Sequence, residues 1–120
     1  AVDKTTTWTT SVCTGALVLG AAGLLKGKRA TTHWSAIKQL EGYGAIAADE
    51  RVVTDGKIMT GAGVSAGIDM ALTLLAEVSG EDHAQFVQLM TEYDPQPPFN
   101  SGSLGTAPDA IRDRAQALFA

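Results

Sequence analysis

Short runs rich in β-branched and aromatic residues alternate with longer apolar runs at helical spacing over the first two thirds of the chain. Residues 8–12 are rich in Trp, Thr and Val and predict a strand. Residues 14–25 are apolar almost all round, which predicts a helix that is buried on most sides and ends at Gly27. Residues 29–32 predict a second short strand, followed by a helix that runs to Leu40.

The middle of the chain predicts a hairpin and two further helices. RVVTDGKIMT, residues 51–60, reads as a β-hairpin because its Asp-Gly pair supplies the positive φ values of a tight turn. The glycine-rich GAGVSAGID then opens a long helix that ends at Gly80. Ser79 and Asp82 predict an N-cap box for another helix, which runs to Glu92. The long helix carries an apolar stripe at helical spacing, formed by Val64, Ile68, Leu72, Leu75 and Val78.

The last part of the chain predicts an extended segment and a short helix. YDPQPPF, residues 93–99, must be extended because proline fixes φ and restricts the residue before it. Residues 108–119 predict a small amphipathic helix that places on one side Ile111, Ala115 and Leu118. The order of elements predicts an α/β fold around a mostly parallel sheet, for which only residues 8–12 and 29–32 offer central strands. A sheet of this size is too small to cover the apolar faces of three or more helices. We therefore expect residues 1–120 to be half of a domain.

Composition and charge narrow the classes of function. Apolar residues make up 45% of the 120 positions and charged residues 18%, which is typical of a globular domain. The net charge of −4 argues against nucleic acids and membrane surfaces as partners, because both require basic patches. The apolar residues 16–25 are too few to span a bilayer, which takes about 20. The single cysteine cannot form an internal disulfide, and this favours a reducing compartment such as the cytoplasm.

Cys13 lies where the first predicted strand meets the first predicted helix. Strand, sharp turn and helix form the geometry of a nucleophile elbow, which lifts one side chain above the carboxyl edge of the sheet. The backbone N–H groups of Thr14 and Gly15 would then form an oxyanion hole, and the helix N-terminus would favour thiolate over thiol. We interpret Gly15 as the residue that avoids crowding in the turn. The motif alone is equally compatible with a buried structural cysteine at a strand–helix junction.

Other candidate chemistry is sparse. His33 follows the second predicted strand and would emerge at the same sheet edge as Cys13, but it is also placed to cap the helix that begins near Ser35. GAGVSAGID departs from the G-x-G-x-x-G dinucleotide fingerprint, and we interpret its glycines as room for a close backbone approach near a pocket. One cysteine and two histidines, none at ligand spacing, predict no metal site.

Three separated motifs, in order, resemble the ThiJ/PfpI superfamily and, within it, the isonitrile (isocyanide) hydratases. They are SVCTGALVLGAAGLLKGKRATTHW, DGKIMTGAGVSAGID and EYDPQPPF, so the resemblance covers nearly the whole chain. It implies a flavodoxin-like three-layer α/β sandwich with a nucleophile elbow, commonly a homodimer, of which residues 1–120 are the C-terminal part.

The resemblance also implies roles for individual residues. Cys13 matches the reactive elbow cysteine, and Thr14 and Gly15 match the two residues after it. His33 matches a histidine that follows the nucleophile in much of the superfamily, and Val64 falls in the segment that lines the substrate pocket. Thr14 stands where the protease branch of the superfamily has a histidine, which argues against a Cys-His peptidase.

The implied reaction is the addition of water to an isocyanide through a cysteine thioimidate, with an N-substituted formamide as product and no cofactor. The resemblance implies that the partner carboxylate lies in the N-terminal half of the domain, ahead of the elbow strand. That half is therefore an expected partner of this segment. Two alternatives stay open: a non-enzymatic domain that senses a ligand or redox state, and the glyoxalase or stress-protein branch of the superfamily.

Overall fold

Strands and helices alternate through residues 1–119, the part of the chain that the computed structural model describes. The strands are β1 (Thr9–Val12), β2 (Arg29–Ala30), β3 (Ile46–Ala47), β4 (Val52–Asp55) and β5 (Ile58–Gly61). The helices are α1 (Ala16–Ala21), α2 (Ile37–Gly42), α3 (Ala66–Ser79), α4 (Glu81–Met90) and α5 (Asp109–Ala117). Short 3₁₀ helices cover Val2–Thr5, Cys13–Gly15 and Trp34–Ala36.

The larger sheet has the strand order β1-β5-β4. β4 and β5 form the predicted antiparallel hairpin, with Gly56 at φ 63° in its turn. β5 also pairs in parallel with β1, in the register Val12 to Gly61. The expectation that only residues 8–12 and 29–32 supply parallel strands was therefore wrong, because the second hairpin strand serves as the central strand.

β2 and β3 form a separate parallel pair. β3 was not predicted, because a run of two residues is too short to stand out beside the helix break that precedes it. Side chains join this pair to the larger sheet. The Arg29 backbone N–H donates to the Asp55 carboxylate at 2.8 Å, and the Thr31 N–H donates to Thr60 Oγ1 at 2.9 Å.

α1 is shorter than the sequence predicted. It ends at Ala21 and not at Gly27, because Gly23 takes up φ 80° and closes a Schellman motif. In this motif the Leu24 N–H donates to the Leu19 carbonyl, and the Gly23 N–H donates to the Gly20 carbonyl. The buried cluster beneath this turn comprises Ala16, Leu25, Ala30, Leu40, Ala45 and Ile58.

Gly80 joins α3 to α4. Its φ of 91° ends α3, as predicted, and the same residue is the N-cap of α4. No side chain caps α4, so the predicted N-cap box of Ser79 and Asp82 was wrong. Because Gly80 and not Ser79 is the N-cap, Asp82 lies at the second helical position and not at the third, where a capping box needs its acidic residue.

A large apolar surface faces solvent. The predicted stripe of α3 is open over much of its length, with Val64 81%, Ile68 48% and Val78 63% exposed, and Val18 on α1 is 71% exposed. The accessible surface is 7933 Å², whereas a folded monomer of this mass exposes about 6,100 Å². The radius of gyration is 15.5 Å, against about 13.6 Å for a compact domain of 120 residues. The described residues therefore leave apolar faces uncovered.

Residues 93–107 form no helix or strand, and α5 follows where the sequence predicted a terminal helix. Arg112 on α5 donates from Nε to the Leu104 carbonyl at 2.9 Å and from a terminal nitrogen to the Ala107 carbonyl at 3.0 Å. These bonds fasten the preceding loop to the helix. Within residues 1–119 no helix is long and apolar enough to cross a bilayer.

Candidate functional site

Cys13 is the first residue of the short 3₁₀ helix that joins β1 to α1. Val12 is still extended, at φ −128°, whereas Cys13 has φ 58°. A residue with a β-carbon rarely adopts this left-handed conformation, and such strain is concentrated at functional sites. The thiol is free and partly exposed. The structure thus contains the strand, sharp turn and helix that the sequence predicted around this cysteine.

Neighbouring segments support the elbow from two sides. The Thr32 hydroxyl donates to the Cys13 carbonyl at 2.7 Å, which ties the segment after β2 to the turn. A β-carbon at Gly67 would lie 3.2 Å from Val12 Cγ1, so the glycine lets α3 pack closely against β1. The interpretation of Gly15 as an anti-crowding residue was wrong, because a β-carbon there would make an ordinary contact, 3.7 Å from Ser11 Cβ.

His33 lies beside this elbow and caps the helical segment that follows it. Its Nδ1 accepts a hydrogen bond from the Ser35 backbone N–H at 3.2 Å. The capping role weighed for this residue is therefore confirmed. The preceding residue, Thr32, contacts the Cys13 carbonyl, so the backbone at His33 lies next to the elbow.

Val64 lies in the loop between β5 and α3, and the structure leaves its side chain in solvent. The loop itself approaches the histidine, because a β-carbon on Gly63 would lie 3.7 Å from His33 Cδ2. Three segments therefore converge at one edge, and they carry Cys13, His33 and Val64. A cleft of about 240 Å³ lies between α3 and α4, away from this edge.

Sequence reasoning missed an aromatic cluster beside the site. The ring of His33 lies 5.1 Å from that of Trp34 and 6.4 Å from that of Phe119, and Trp34 and Phe119 meet edge to face at 5.3 Å. Trp34 is adjacent to the histidine in sequence and could have been suspected. Phe119 gave no signal, because only the packing of α5 brings the end of the chain to this position.

A charged network fastens the start of α3, beyond the loop that bears Val64. The Asp69 carboxylate accepts a hydrogen bond from Arg51 Nε at 2.7 Å and another from the Tyr93 hydroxyl. Burial raises the pKa of Asp69, but these two hydrogen bonds and the Arg51 charge outweigh it, so the pKa lies below its usual value. The hydrogen bond to Asp69 raises the pKa of Tyr93.

Replacing Asp69 with asparagine is expected to lower the free energy of unfolding by about 1 kcal/mol at pH 7, since it removes a charge-assisted pair at a partly exposed site. A carboxyl group whose pKa is depressed by folding stabilises the fold fully above its unfolded pKa of about 3.9 and loses this contribution as the pH falls through the folded value. The difference between wild type and variant should therefore shrink towards pH 3 in denaturant titrations.

The control for this experiment is Asp113→Asn, which removes an exposed carboxylate on α5. A loss of stability by Asp69→Asn that stays constant from pH 7 to pH 3 would contradict the assignment to the ionised carboxylate.

No group of three or more His, Cys, Asp or Glu side chains that could hold a metal ion occurs in the described part of the chain.

Residues 2–77 match the model of the DJ-1/PfpI family, and this segment contains the elbow, His33 and the loop with Val64. The chain belongs to the DJ-1/PfpI family. This confirms the ThiJ/PfpI resemblance and the flavodoxin-like α/β fold, of which the chain forms part.

Three relatives illustrate what the chain is similar to. It is 61% identical to an isonitrile hydratase from Pseudomonas putida over 91% of its own length and 48% of that protein. It is 44% identical to the HTH-type transcriptional regulator CdhR from Pseudomonas aeruginosa over 56% of its length and 20% of the regulator. A ThiJ/PfpI family protein from Pseudomonas syringae superimposes with a TM-score of 0.90 at 53% identity, over 92% of this chain and 46% of that one. The chain spans less than half the length of these relatives.

Proposed function

We propose that the protein of which this chain is part is an isonitrile hydratase that uses Cys13 as its nucleophile. The observation that carries the proposal is the left-handed Cys13 at a strand–helix elbow, in a chain 61% identical to an isonitrile hydratase. The thiolate is the nucleophilic form of a cysteine. No cofactor is needed for the reaction.

In the first step the Cys13 thiolate attacks the terminal carbon of the isocyanide, R–N≡C. A carbon–sulfur bond forms and the same carbon takes a proton, which gives the thioimidate R–N=CH–S. The N–H groups of Thr14 and Gly15 stand at the start of the helix, where they can stabilise negative charge as it develops. We assign the proton to a carboxylic acid in the N-terminal half of the domain.

In the second step water adds to the thioimidate carbon. One proton of the water passes to nitrogen, and the intermediate R–NH–CH(OH)–S collapses with cleavage of the carbon–sulfur bond. The products are the formamide R–NH–CHO and the regenerated thiol of Cys13. The carboxylate that gave the first proton acts here as the base that activates water.

The proposal also has consequences for the compartment and the partners of the enzyme. An exposed catalytic thiol survives in a reducing compartment, which supports the cytoplasm. The open apolar stripe of α3 supports a partner that covers it, and we assign this role to the N-terminal half of the domain. The homodimer implied by the family resemblance stays a prediction.

The proposal is tested by tracing the oxygen atom of water into the formamide product. The full-length protein is incubated with methyl isocyanide in H₂¹⁸O, and N-methylformamide is measured by NMR and mass spectrometry. Many turnovers per protein, with one ¹⁸O in each formamide formed, would support the proposal. Formation of no more formamide than in a protein-free control would contradict it.

A second candidate function is that of a ligand- or redox-sensing domain, and the similarity to the regulator CdhR favours it. A sensor would react once with the isocyanide or with peroxide and then hold the modified cysteine. Peptide mass mapping after one hour with excess isocyanide separates the two functions. A permanent stoichiometric adduct on Cys13 indicates a sensor, whereas an unmodified thiol with accumulated formamide indicates the enzyme.

Replacing Val64 with phenylalanine is expected to raise KM for large isocyanides several-fold and to leave KM for methyl isocyanide near the wild-type value. The physical reason is that Val64 belongs to the loop that approaches His33, so a larger side chain narrows the entrance to the site. Steady-state kinetics with methyl and tert-butyl isocyanide provide the measurement. Val2→Phe, at a similarly exposed valine outside this loop and outside the open face of α3, serves as the matched control. Loss of iodoacetamide reactivity at Cys13 in Val64→Phe would instead indicate a disrupted fold.

A further inference from the structure

The cap at the start of the 3₁₀ helix Trp34–Ala36 determines which nitrogen of His33 carries the proton. Nδ1 accepts from the Ser35 backbone N–H at 3.2 Å and lies 2.7 Å from Ser35 Oγ. A backbone N–H can only donate, so Nδ1 must present its lone pair. The neutral ring therefore carries its proton on Nε2, and in that tautomer the Ser35 hydroxyl is placed to donate to Nδ1 as well.

The ring is also held in place by its neighbours. Trp34 and Phe119 pack near it, and a β-carbon on Gly63 would lie 3.7 Å from Cδ2, the atom next to Nε2. Within residues 1–119 the only hydrogen bonds of the ring are those of Nδ1 with Ser35. The Nε2–H group is thus a donor without a described partner, on a residue adjacent to the one that binds the Cys13 carbonyl.

We propose that Ser35 is a positioning residue that holds His33 as an Nε2–H hydrogen-bond donor to the substrate, and not as a base. The inference rests on the proposed hydration, and it identifies the group that donates a hydrogen bond to the nitrogen atom of the thioimidate. A hydrogen bond from Nε2–H to the thioimidate nitrogen withdraws electron density from the C=N bond. The carbon then accepts water more readily, and the proton gained by nitrogen comes from that water, while His33 keeps its own.

The donor role is tested by two substitutions of His33 in the full-length protein. Glutamine carries an amide N–H₂ close to the position of Nε2 but cannot act as a base, whereas phenylalanine keeps the ring shape without a donor. His33→Gln is expected to retain kcat within about threefold. His33→Phe is expected to lose about 10- to 100-fold, the effect of a hydrogen bond to a reacting group. An equal loss in both variants would overturn the donor role.

The positioning role is tested by substitutions of Ser35. Ser35→Ala removes the hydroxyl donor and should lower kcat about 2- to 12-fold with little change in KM, whereas Ser35→Thr should restore it. Ser79→Ala, at an exposed helix end, is the control for loss of a serine hydroxyl. A lower melting temperature for Ser35→Ala with kcat unchanged would show that Ser35 is only structural and would overturn the assignment.

An independent readout does not depend on turnover. Long-range ¹H–¹⁵N correlations in protein labelled with ¹⁵N-histidine distinguish the two neutral tautomers. The His33 resonances are identified by their absence in His33→Gln, and the exposed His83 provides the reference for a ring free of Ser35. We expect His33 to be protonated on Nε2 in the wild type and also in Ser35→Ala, because the variant keeps the backbone N–H that donates to Nδ1.

The outcomes separate this inference from the proposed function. A ring protonated on Nδ1 in an active hydratase would overturn the assignment to Ser35 and His33 and leave the hydratase standing. A wild-type protein that forms no formamide would overturn the reaction and, with it, the role of the donor, whatever the tautomer.

Discussion

Replacing Cys13 with serine is expected to lower kcat for isocyanide hydration by at least about 10³-fold in the full-length protein. A serine hydroxyl is not ionised near neutral pH and is a much weaker nucleophile than a thiolate. The measurement is formamide formation under saturating isocyanide. The fold should survive, because serine is nearly isosteric and the Thr32 contact is made to the backbone carbonyl.

Ser11→Ala is the matched control for this variant. Ser11 lies two residues earlier on β1, and its buried hydroxyl has no hydrogen-bond partner in the described part of the chain. Its removal should leave kcat unchanged. Activity of Cys13→Ser within tenfold of wild type would contradict the nucleophile assignment, provided that circular dichroism shows both variants folded.

Residues 1–120 expressed alone are expected not to form a cooperatively folded, well-protected monomer. Burial of one Val or Leu side chain contributes roughly 1.5–3 kcal/mol, and a folded domain retains only about 5–15 kcal/mol in total. Val18, Ile68 and Val78 all face solvent in the described structure. If several such side chains stay exposed, the burial free energy that is lost is as large as the whole free energy of unfolding.

The test compares this segment with the full-length protein by near-UV circular dichroism, urea titration and hydrogen exchange. We propose that the N-terminal half of the domain covers the open faces and brings an Asp or Glu within hydrogen-bonding reach of Cys13. Addition of that half as a separate chain should restore cooperative unfolding. A protected monomer of residues 1–120 by itself would contradict the half-domain proposal and the assignment of the acid to the other half.

The elements with strong local chemistry were predictable from the sequence. The hairpin followed from an Asp-Gly turn between two β-prone runs, the elbow from a strand that meets a helix at Cys13, and the end of α3 from Gly80. These features are decided by a few adjacent residues, so the sequence pattern contains the information.

Features that depend on distant residues were missed. The place of β5 at the centre of the sheet depends on its register with β1, and no local pattern encodes that pairing. The early end of α1 was missed because its apolar run continues past the glycine that stops it. The aromatic contact of Phe119 with Trp34 arises only once α5 has packed. The carboxylic acid that we assign to the N-terminal half of the domain cannot be predicted from any sequence pattern in this chain.

The left-handed backbone at position 13 means that the residue best suited to stability there differs from the residue that the proposed catalysis needs. A non-glycine residue in this conformation costs about 1–2 kcal/mol relative to glycine, which adopts it freely. A mutant library that is screened only for heat resistance or soluble yield will therefore enrich Cys13→Gly. The selected proteins will be more stable but will lack the thiol. Directed evolution of this scaffold has to couple every round of stabilisation to a measurement of turnover, because at position 13 the best-tolerated residue is an inert one.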